Sequence, residues 1–105
     1  MIYHKETALY LHNLSNRQFE GFHAVLSHDK AIPRIDDLTI LRTRSKNIYI
    51  EATMVETPYG NLCRCYDKER CICDLFVYDD FEYEDKAYAI RVYAKHYEYA
   101  RKLRV

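Results

Sequence analysis

The sequence predicts a single α+β domain over residues 1–105, in which a small, mostly antiparallel sheet packs with an N-terminal helix and two C-terminal helices. Three observations support this fold class. A helix-like segment opens the chain, β-branched segments fill its middle, and apolar residues recur at helical spacing from Asp67 onward. The chain has 105 residues, of which 49% are hydrophobic, and this composition suits one buried core.

The N-terminal two thirds of the chain carries the first helix and the strands. Residues 7–14 predict a short helix with Ala8, Leu11 and Leu14 on one face, and Asn13 can adopt the left-handed conformation that ends a helix. Strand-like composition marks four further segments, residues 22–27, 38–42, 47–57 and 62–66. Residues 58–61 have the composition of a tight turn, so the last two segments should form a hairpin.

The C-terminal third predicts two helices. Asp67 is a suitable N-cap for the first, and Ile72, Leu75 and Phe76 should form its apolar face. The second should begin near Tyr83 and continue toward the C-terminus, because no residue in that stretch breaks a helix.

The last helix has two apolar stripes. The first, expected to face the core, consists of Tyr83, Ala87, Ile90, Tyr93, Ala94, Tyr97 and Ala100. The second, on the opposite side, consists of Tyr88, Val92, Tyr99 and Leu103. A surface helix needs one apolar stripe, so the second predicts a contact with the rest of the fold, a second copy in a homodimer, or a partner protein. Because tyrosine tolerates water, the alternative is that this stripe is simply exposed.

Charge and hydropathy indicate which partners and which cellular compartment to expect. Sixteen Lys and Arg residues balance sixteen Asp and Glu residues, whereas a nucleic-acid-binding domain normally carries a positive excess. The first residues lack the apolar core of a signal peptide, and no apolar run has the length of a membrane span. We therefore expect a cytoplasmic protein that binds neither nucleic acid nor membrane.

The four cysteines form two C-x-C pairs, Cys63 with Cys65 and Cys71 with Cys73. Zinc sites usually use pairs separated by two to four residues, and Cys71 and Cys73 lie in a predicted helix, where residues two apart diverge. We therefore interpret the cysteines as small apolar residues rather than zinc ligands, and no metal is expected.

Charged residues near the first C-terminal helix allow two interpretations. Arg70 and Asp74 have the spacing of a structural ion pair within a helix. The alternative is that Glu69 and Asp74 hold a metal ion in a nuclease-like or metal-binding protein. The five histidines are scattered, and the chain has only two glycines and no phosphate-binding or nucleophile motif. The sequence thus predicts neither catalytic residues nor a cofactor, and the protein is not expected to be an enzyme.

Four segments resemble antitoxins of the AbiEi-like abortive-infection family. Residues 6–15, ETALYLHNLS, are similar to the family's E-T-A-L-x-L-H-G-L-S segment. Residues 55–61, VETPYGN, and residues 66–75, YDKERCICDL, are similar to V-x-T-P-x-G-N and Y-D-x-E-R-T-I-C-D-I. Residues 99–105 also resemble a helix of this family, so the matches follow in order along the chain.

The resemblance implies an antitoxin of a type IV toxin–antitoxin system that counteracts a nucleotidyltransferase-type toxin in phage defence. These antitoxins usually begin with a winged-helix DNA-binding domain, and this chain begins where that domain would end. The similarity therefore covers the C-terminal domain only, and DNA binding is not expected. Direct contact with a cognate toxin is our hypothesis, with the stripe of Tyr88, Val92, Tyr99 and Leu103 as its candidate surface.

Overall fold

Five strands and three helices form one layered unit in the computed structural model, which describes residues 1–103 apart from the side chains of Tyr99, Ala100 and Leu103. In chain order the elements are β1 (Ile2–Tyr3), α1 (Lys5–Leu11), β2 (Phe22–Ser27), β3 (Leu38–Thr43), β4 (Ala52–Glu56), β5 (Leu62–Tyr66), α2 (Lys68–Val77) and α3 (Tyr83–Leu103). The α+β class and the three predicted helices are confirmed.

The sheet is mixed, with strand order β3-β2-β1-β5-β4. Strand β1 pairs antiparallel with β2, and β4 with β5, whereas β1 pairs parallel with β5 and β2 with β3. The prediction of a mostly antiparallel sheet was therefore wrong. A parallel pair usually needs a helical crossover, and the sequence between β2 and β3 shows none. The non-helical connection at residues 28–37 is long enough, because ten residues can span up to about 33 Å and a six-residue strand is about 20 Å long.

The predicted hairpin is confirmed in β4 and β5, where Val55 is opposite Cys63 across the turn at residues 58–61. The preceding segment differs from the prediction, since residues 48–51 form a turn in which Glu51 has φ +68°. A left-handed residue interrupts the extended backbone, so β4 begins only at Ala52.

Both faces of the sheet are partly covered. On one face, side chains of all three helices pack with Cys65 in the main core, whose buried members are Ala8, Leu9, Leu14, Cys65, Cys71, Leu75, Phe81 and Ala89. On the other face, Ile2, Val25 and Tyr66 pack with Ile48 of the 48–51 turn. The Tyr66 hydroxyl donates to the Ile48 carbonyl at 2.7 Å and so fixes this turn against the sheet.

Helix α2 begins as predicted, with the Asp67 side chain accepting from the Arg70 N–H. Its inward face differs from the predicted one. Leu75 is fully buried and Cys71 is buried beside it, but Phe76 is 73% exposed. Phe76 was therefore placed in the core wrongly; Cys71 occupies the inward position one turn before Leu75 instead.

Helix α3 packs on the core with the face opposite to the one that the sequence predicted. Phe81, just before the helix, is buried and sets its phase, so that Ala89 and Val92 face inward. The residues at the opposite positions are exposed, and we call them the outer stripe of α3: Tyr83, Ala87, Ile90, Ala94 and Tyr97. Tyr93 is the one described side chain of the predicted core-facing stripe that packs on the core. No helix in residues 1–103 combines the length and the apolar character needed to cross a membrane.

His4 is a buried polar residue at the junction of β1 and α1. Its backbone N–H donates to the His23 carbonyl at 3.0 Å, and its ring meets the Tyr78 ring edge-on at 5.8 Å. The ring is 3% exposed, and its Nδ1 has no hydrogen-bond partner in the described chain. Burial lowers the pKa of His4 to about 4, with smaller contributions in the same direction from the nearby cations His23, Lys5 and Arg70, against Asp80.

Candidate interaction surface

An aromatic cleft opens between α1, the start of β2 and the turn that joins β4 to β5. It has a volume of about 490 Å³. We call it the aromatic cleft, and its lining residues are Tyr3, Thr7, Tyr10, Leu11, Phe19, Phe22, Thr57, Pro58, Tyr59, Asn61, Leu62 and Cys63. Aromatic rings thus come from four separate parts of the chain, namely β1, α1, the loop after α1 with β2, and the hairpin turn.

The rings in the cleft contact one another in a continuous series. Phe19 lies between Tyr10 and Phe22, with ring centroids 5.6 and 4.7 Å away, and Phe22 lies 5.6 Å from Tyr3. These tilted and edge-on arrangements are the favoured geometries of aromatic pairs. Tyr59 at the rim is 92% exposed. The cleft therefore combines a fixed aromatic floor with an accessible edge.

The lining of the cleft suits an uncharged apolar ligand. Within the described chain, its side chains are aromatic, aliphatic, hydroxyl, amide or thiol groups, and none carries a formal charge. Burial raises the pKa of the Tyr3 hydroxyl, with a smaller electrostatic effect of Cys63 in the same direction, and burial also raises the pKa of the Cys63 thiol. Both groups are thus neutral at physiological pH, and Cys63 lacks the thiolate character of a reactive cysteine.

The loop that carries Phe19 is fastened to α1 by Thr7. The Thr7 hydroxyl donates to the Gly21 carbonyl at 3.2 Å and accepts from the His23 N–H at 2.7 Å. Thr7 is 2% exposed. Gly21 has φ +134°, and an added Cβ would lie 3.0 Å from the Asp37 carbonyl oxygen, so a larger residue would not fit there.

Replacing Thr7 by valine is expected to destabilise the protein by about 1–3 kcal/mol, because the buried N–H of His23 and the Gly21 carbonyl would each lose a partner. Urea unfolding followed by circular dichroism measures the change. Thr7→Ser keeps the hydroxyl and is the control, with a loss of less than about 1 kcal/mol. Equal losses in the valine and serine variants would show that the hydroxyl contributes nothing.

A smaller, polar cavity of about 190 Å³ adjoins the cleft and shares Thr7, Tyr10 and Phe19 with it. Arg17 lies at its edge and bonds to Glu82 at 2.5 Å and to Asp85 at 2.6 Å. These bonds tie the loop after α1 to the start of α3. Because Arg17 and Glu82 are well exposed, the pairs orient the loop more than they stabilise the fold.

The four cysteines occupy three different environments. Cys65 and Cys71 are buried in the core, which confirms their interpretation as apolar residues; burial raises the pKa of Cys65 to about 12 and raises that of Cys71 as well. Cys63 is half-buried in the aromatic cleft. Cys73 is exposed, so the prediction that it is buried was wrong. Over residues 1–103, no three His, Cys, Asp or Glu side chains are grouped as a metal site would require.

The predicted ion pair is present in α2, where Arg70 Nε donates to Asp74 Oδ1 at 3.0 Å. Asp74 is 4% exposed; burial raises its pKa, and the Arg70 guanidinium opposes that shift. Arg70 also lies over the Tyr66 ring, 4.2 Å from its centroid. Glu69, by contrast, is exposed and accepts from the Tyr93 hydroxyl at 3.3 Å. The two carboxylates of the metal alternative therefore serve separate contacts.

The described residues of the predicted partner surface, Tyr88 and Val92, are not fully accessible to a partner. Val92 packs against the core, and Tyr88 is half-buried with the Arg91 guanidinium 5.6 Å from its ring centroid. The assignment of Val92 to a partner surface was thus wrong, because the buried Phe81 turns this side of α3 toward the fold. The side chains of Tyr99 and Leu103 lie outside the described residues. The exposed apolar residues of the described chain are spread over its surface, and they include residues of the aromatic cleft and of the outer stripe of α3.

Three of the four segments that resemble AbiEi-like antitoxins meet in space. Residues 6–15 and 55–61 line the aromatic cleft together, through Tyr10 and Leu11 on one side and Thr57 and Pro58 on the other. Residues 66–75 contact the first segment, since His12 Nε2 donates to the Tyr66 carbonyl at 2.7 Å. Comparison with known proteins adds no family: no protein-family model matches the chain, and no curated protein is significantly similar to it.

Proposed function

We propose that this protein is an antitoxin-like partner-binding protein that acts without catalysis in the cytoplasm. Its target is a nucleotidyltransferase-type toxin of a type IV toxin–antitoxin or phage-defence system. The aromatic cleft is the surface by which it contacts that toxin. The main support is that two of the segments resembling the AbiEi-like family line this one cleft, and a third is hydrogen-bonded to the first of them through His12 and Tyr66.

The chemistry of the cleft supports protein binding over catalysis. Aromatic side chains bury a large area at low entropic cost, and tyrosine retains a hydroxyl for a hydrogen bond at the rim of an interface. The nearby nucleophile, Cys63, is a protonated thiol, and the lining offers no carboxylate or histidine to act as an acid or base. A pre-formed, uncharged cleft of this kind fits an apolar segment projecting from a partner protein.

Co-expression with a nucleotidyltransferase-like toxin encoded beside the gene tests the proposal. The wild-type chain should restore growth and co-purify with the toxin. Tyr59→Ser with Leu62→Ser removes two exposed apolar side chains from the rim, and we expect the dissociation constant to rise at least about tenfold, with loss of rescue.

A matched control changes one tyrosine and one aliphatic residue elsewhere. Tyr49→Ser with Ile50→Ser alters exposed side chains of the 48–51 turn, on the other face of the sheet, and should leave binding and rescue intact. Failure of the wild type to rescue growth would contradict the antitoxin function. Undiminished binding by the Tyr59/Leu62 variant would show that the contact lies outside the cleft.

A further inference from the structure

The outer stripe of α3 has the spacing of a coiled-coil seam. Its residues follow one another at intervals of four, three, four and three, which is the a/d pattern of a heptad repeat. Tyr83, Ile90 and Tyr97 are 83%, 38% and 60% exposed, and Ala87 and Ala94 between them are also exposed. Residues 94–98 are all exposed, so this part of the helix extends beyond Tyr93, the last of the described side chains that packs on the core.

We propose that a second copy of this chain covers the outer stripe, with the two α3 helices packed antiparallel in a homodimer. The register places Ala87 opposite Ile90 of the second copy, and Tyr83 opposite Ala94 of the second copy. Tyr83 and Ile90 then each meet an alanine, which allows the helices to approach closely in the middle of the interface. The interface is isologous, since every contact occurs twice about a twofold axis.

The charges beside the stripe select this arrangement. Glu84 and Arg91 flank it on the same side, at successive e positions of the heptad. In the antiparallel register Glu84 faces Arg91 of the second copy, which gives two equivalent ion pairs. In a parallel dimer Lys86, at a g position, would face Arg91 of the second copy and repel it. Charge complementarity therefore favours the antiparallel dimer.

The residues that would form the new ion pairs are available. Among the described residues neither Glu84 nor Arg91 takes part in an ion pair, and Arg91 is held alongside the helix by its contact with the Tyr88 ring. The net charge of the chain is zero, so overall repulsion does not oppose self-association. The dimer leaves the aromatic cleft, which α3 does not line, open to another partner.

Sedimentation equilibrium of the full chain over a range of concentrations tests the dimer. The wild type should sediment as a dimer, and Ile90→Glu as a monomer with unchanged helical circular dichroism. Arg91→Glu places like charges opposite each other and should raise the dimer dissociation constant at least about tenfold. The double variant Glu84→Arg with Arg91→Glu restores opposite charges and should return the constant to within about threefold of the wild type.

Lys95→Glu is the matched control, because it makes the same change in charge at an exposed α3 position outside the stripe and should leave the dimer intact. A wild-type chain that is monomeric at all concentrations would overturn the proposal. So would a dimer that survives Ile90→Glu. If Ile90→Glu proves unfolded, the charge variants decide: failure of the double variant to recover the dimer would exclude the antiparallel register.

Discussion

Acidification from pH 6.5 to pH 4 is expected to lower the free energy of unfolding by about 3 kcal/mol through His4 alone. In the unfolded chain this histidine binds a proton near its ordinary pKa of 6.5, whereas the folded protein resists protonation down to a pKa of about 4. Between these values the unfolded state holds more protons, so stability rises with pH across the window and is lost as pH falls. The cause is burial, reinforced by the neighbouring cations His23, Lys5 and Arg70.

Urea unfolding at half-unit steps from pH 4 to pH 7 measures this dependence. His4→Leu keeps an apolar side chain at the site but binds no proton, so its stability should change less with pH over the same window, whatever its absolute stability. His28→Gln, at an exposed histidine, serves as the control and should reproduce the wild-type slope. Equal slopes in the wild type and His4→Leu would refute the assignment of this pH dependence to His4.

Leu75→Ala is expected to destabilise the protein by about 2–5 kcal/mol. Leu75 is fully buried in α2 among core side chains from α1, β5 and α3. Truncation removes apolar contacts and leaves a cavity that the well-packed surroundings fill only in part. Differential scanning calorimetry and urea unfolding both report the loss. A domain of this size is stabilised by only about 5–15 kcal/mol, so the variant should be marginally folded.

The adjacent Phe76→Ala provides the contrast, since Phe76 is 73% exposed and its truncation should change stability by no more than about 0.5 kcal/mol. The two residues are adjacent in the same helix but lie on opposite sides of the boundary between core and solvent. A loss at Phe76 comparable to that at Leu75 would mean that this aromatic ring is buried in solution, against a neighbour or a second copy.

Local signals in the sequence predicted most elements of the fold. Strands β2, β3 and β5, the β4–β5 hairpin and the start of α2 at Asp67 occur where composition, alternation and capping place them. Asn13 adopts the left-handed conformation expected of it, with φ +60°. These features depend on a few neighbouring residues, which is why single-sequence reasoning can find them.

The sequence did not predict features that depend on residues far apart in the chain. Strand β1 has only two residues, Ile2 and Tyr3, too few for any periodicity, yet it lies at the centre of the sheet. The aromatic cleft combines rings from four separate parts of the chain. The sequence indicated this cleft only through its eleven tyrosines, an unusually high number. That number does not show which tyrosines would come together in the fold.

The orientation of α3 shows why apolar content alone is a weak guide to a buried face. The stripe with more apolar residues faces outward, because the phase of the helix is set by Phe81, which lies before its first turn. The inward positions include Asp85, whose carboxylate bonds to Arg17. A polar residue with a partner thus occupies a position that a hydrophobic pattern would assign to solvent.

Tyr66 joins structures on both sides of the sheet. Its hydroxyl holds the 48–51 turn beneath the sheet, and its carbonyl accepts from His12 and, at 3.7 Å, from the Cys71 thiol on the helical side. The two layers are therefore anchored to the same residue, and displacing Tyr66 would weaken both. The consequence is thermodynamic coupling: we expect the two layers to unfold together in one cooperative transition.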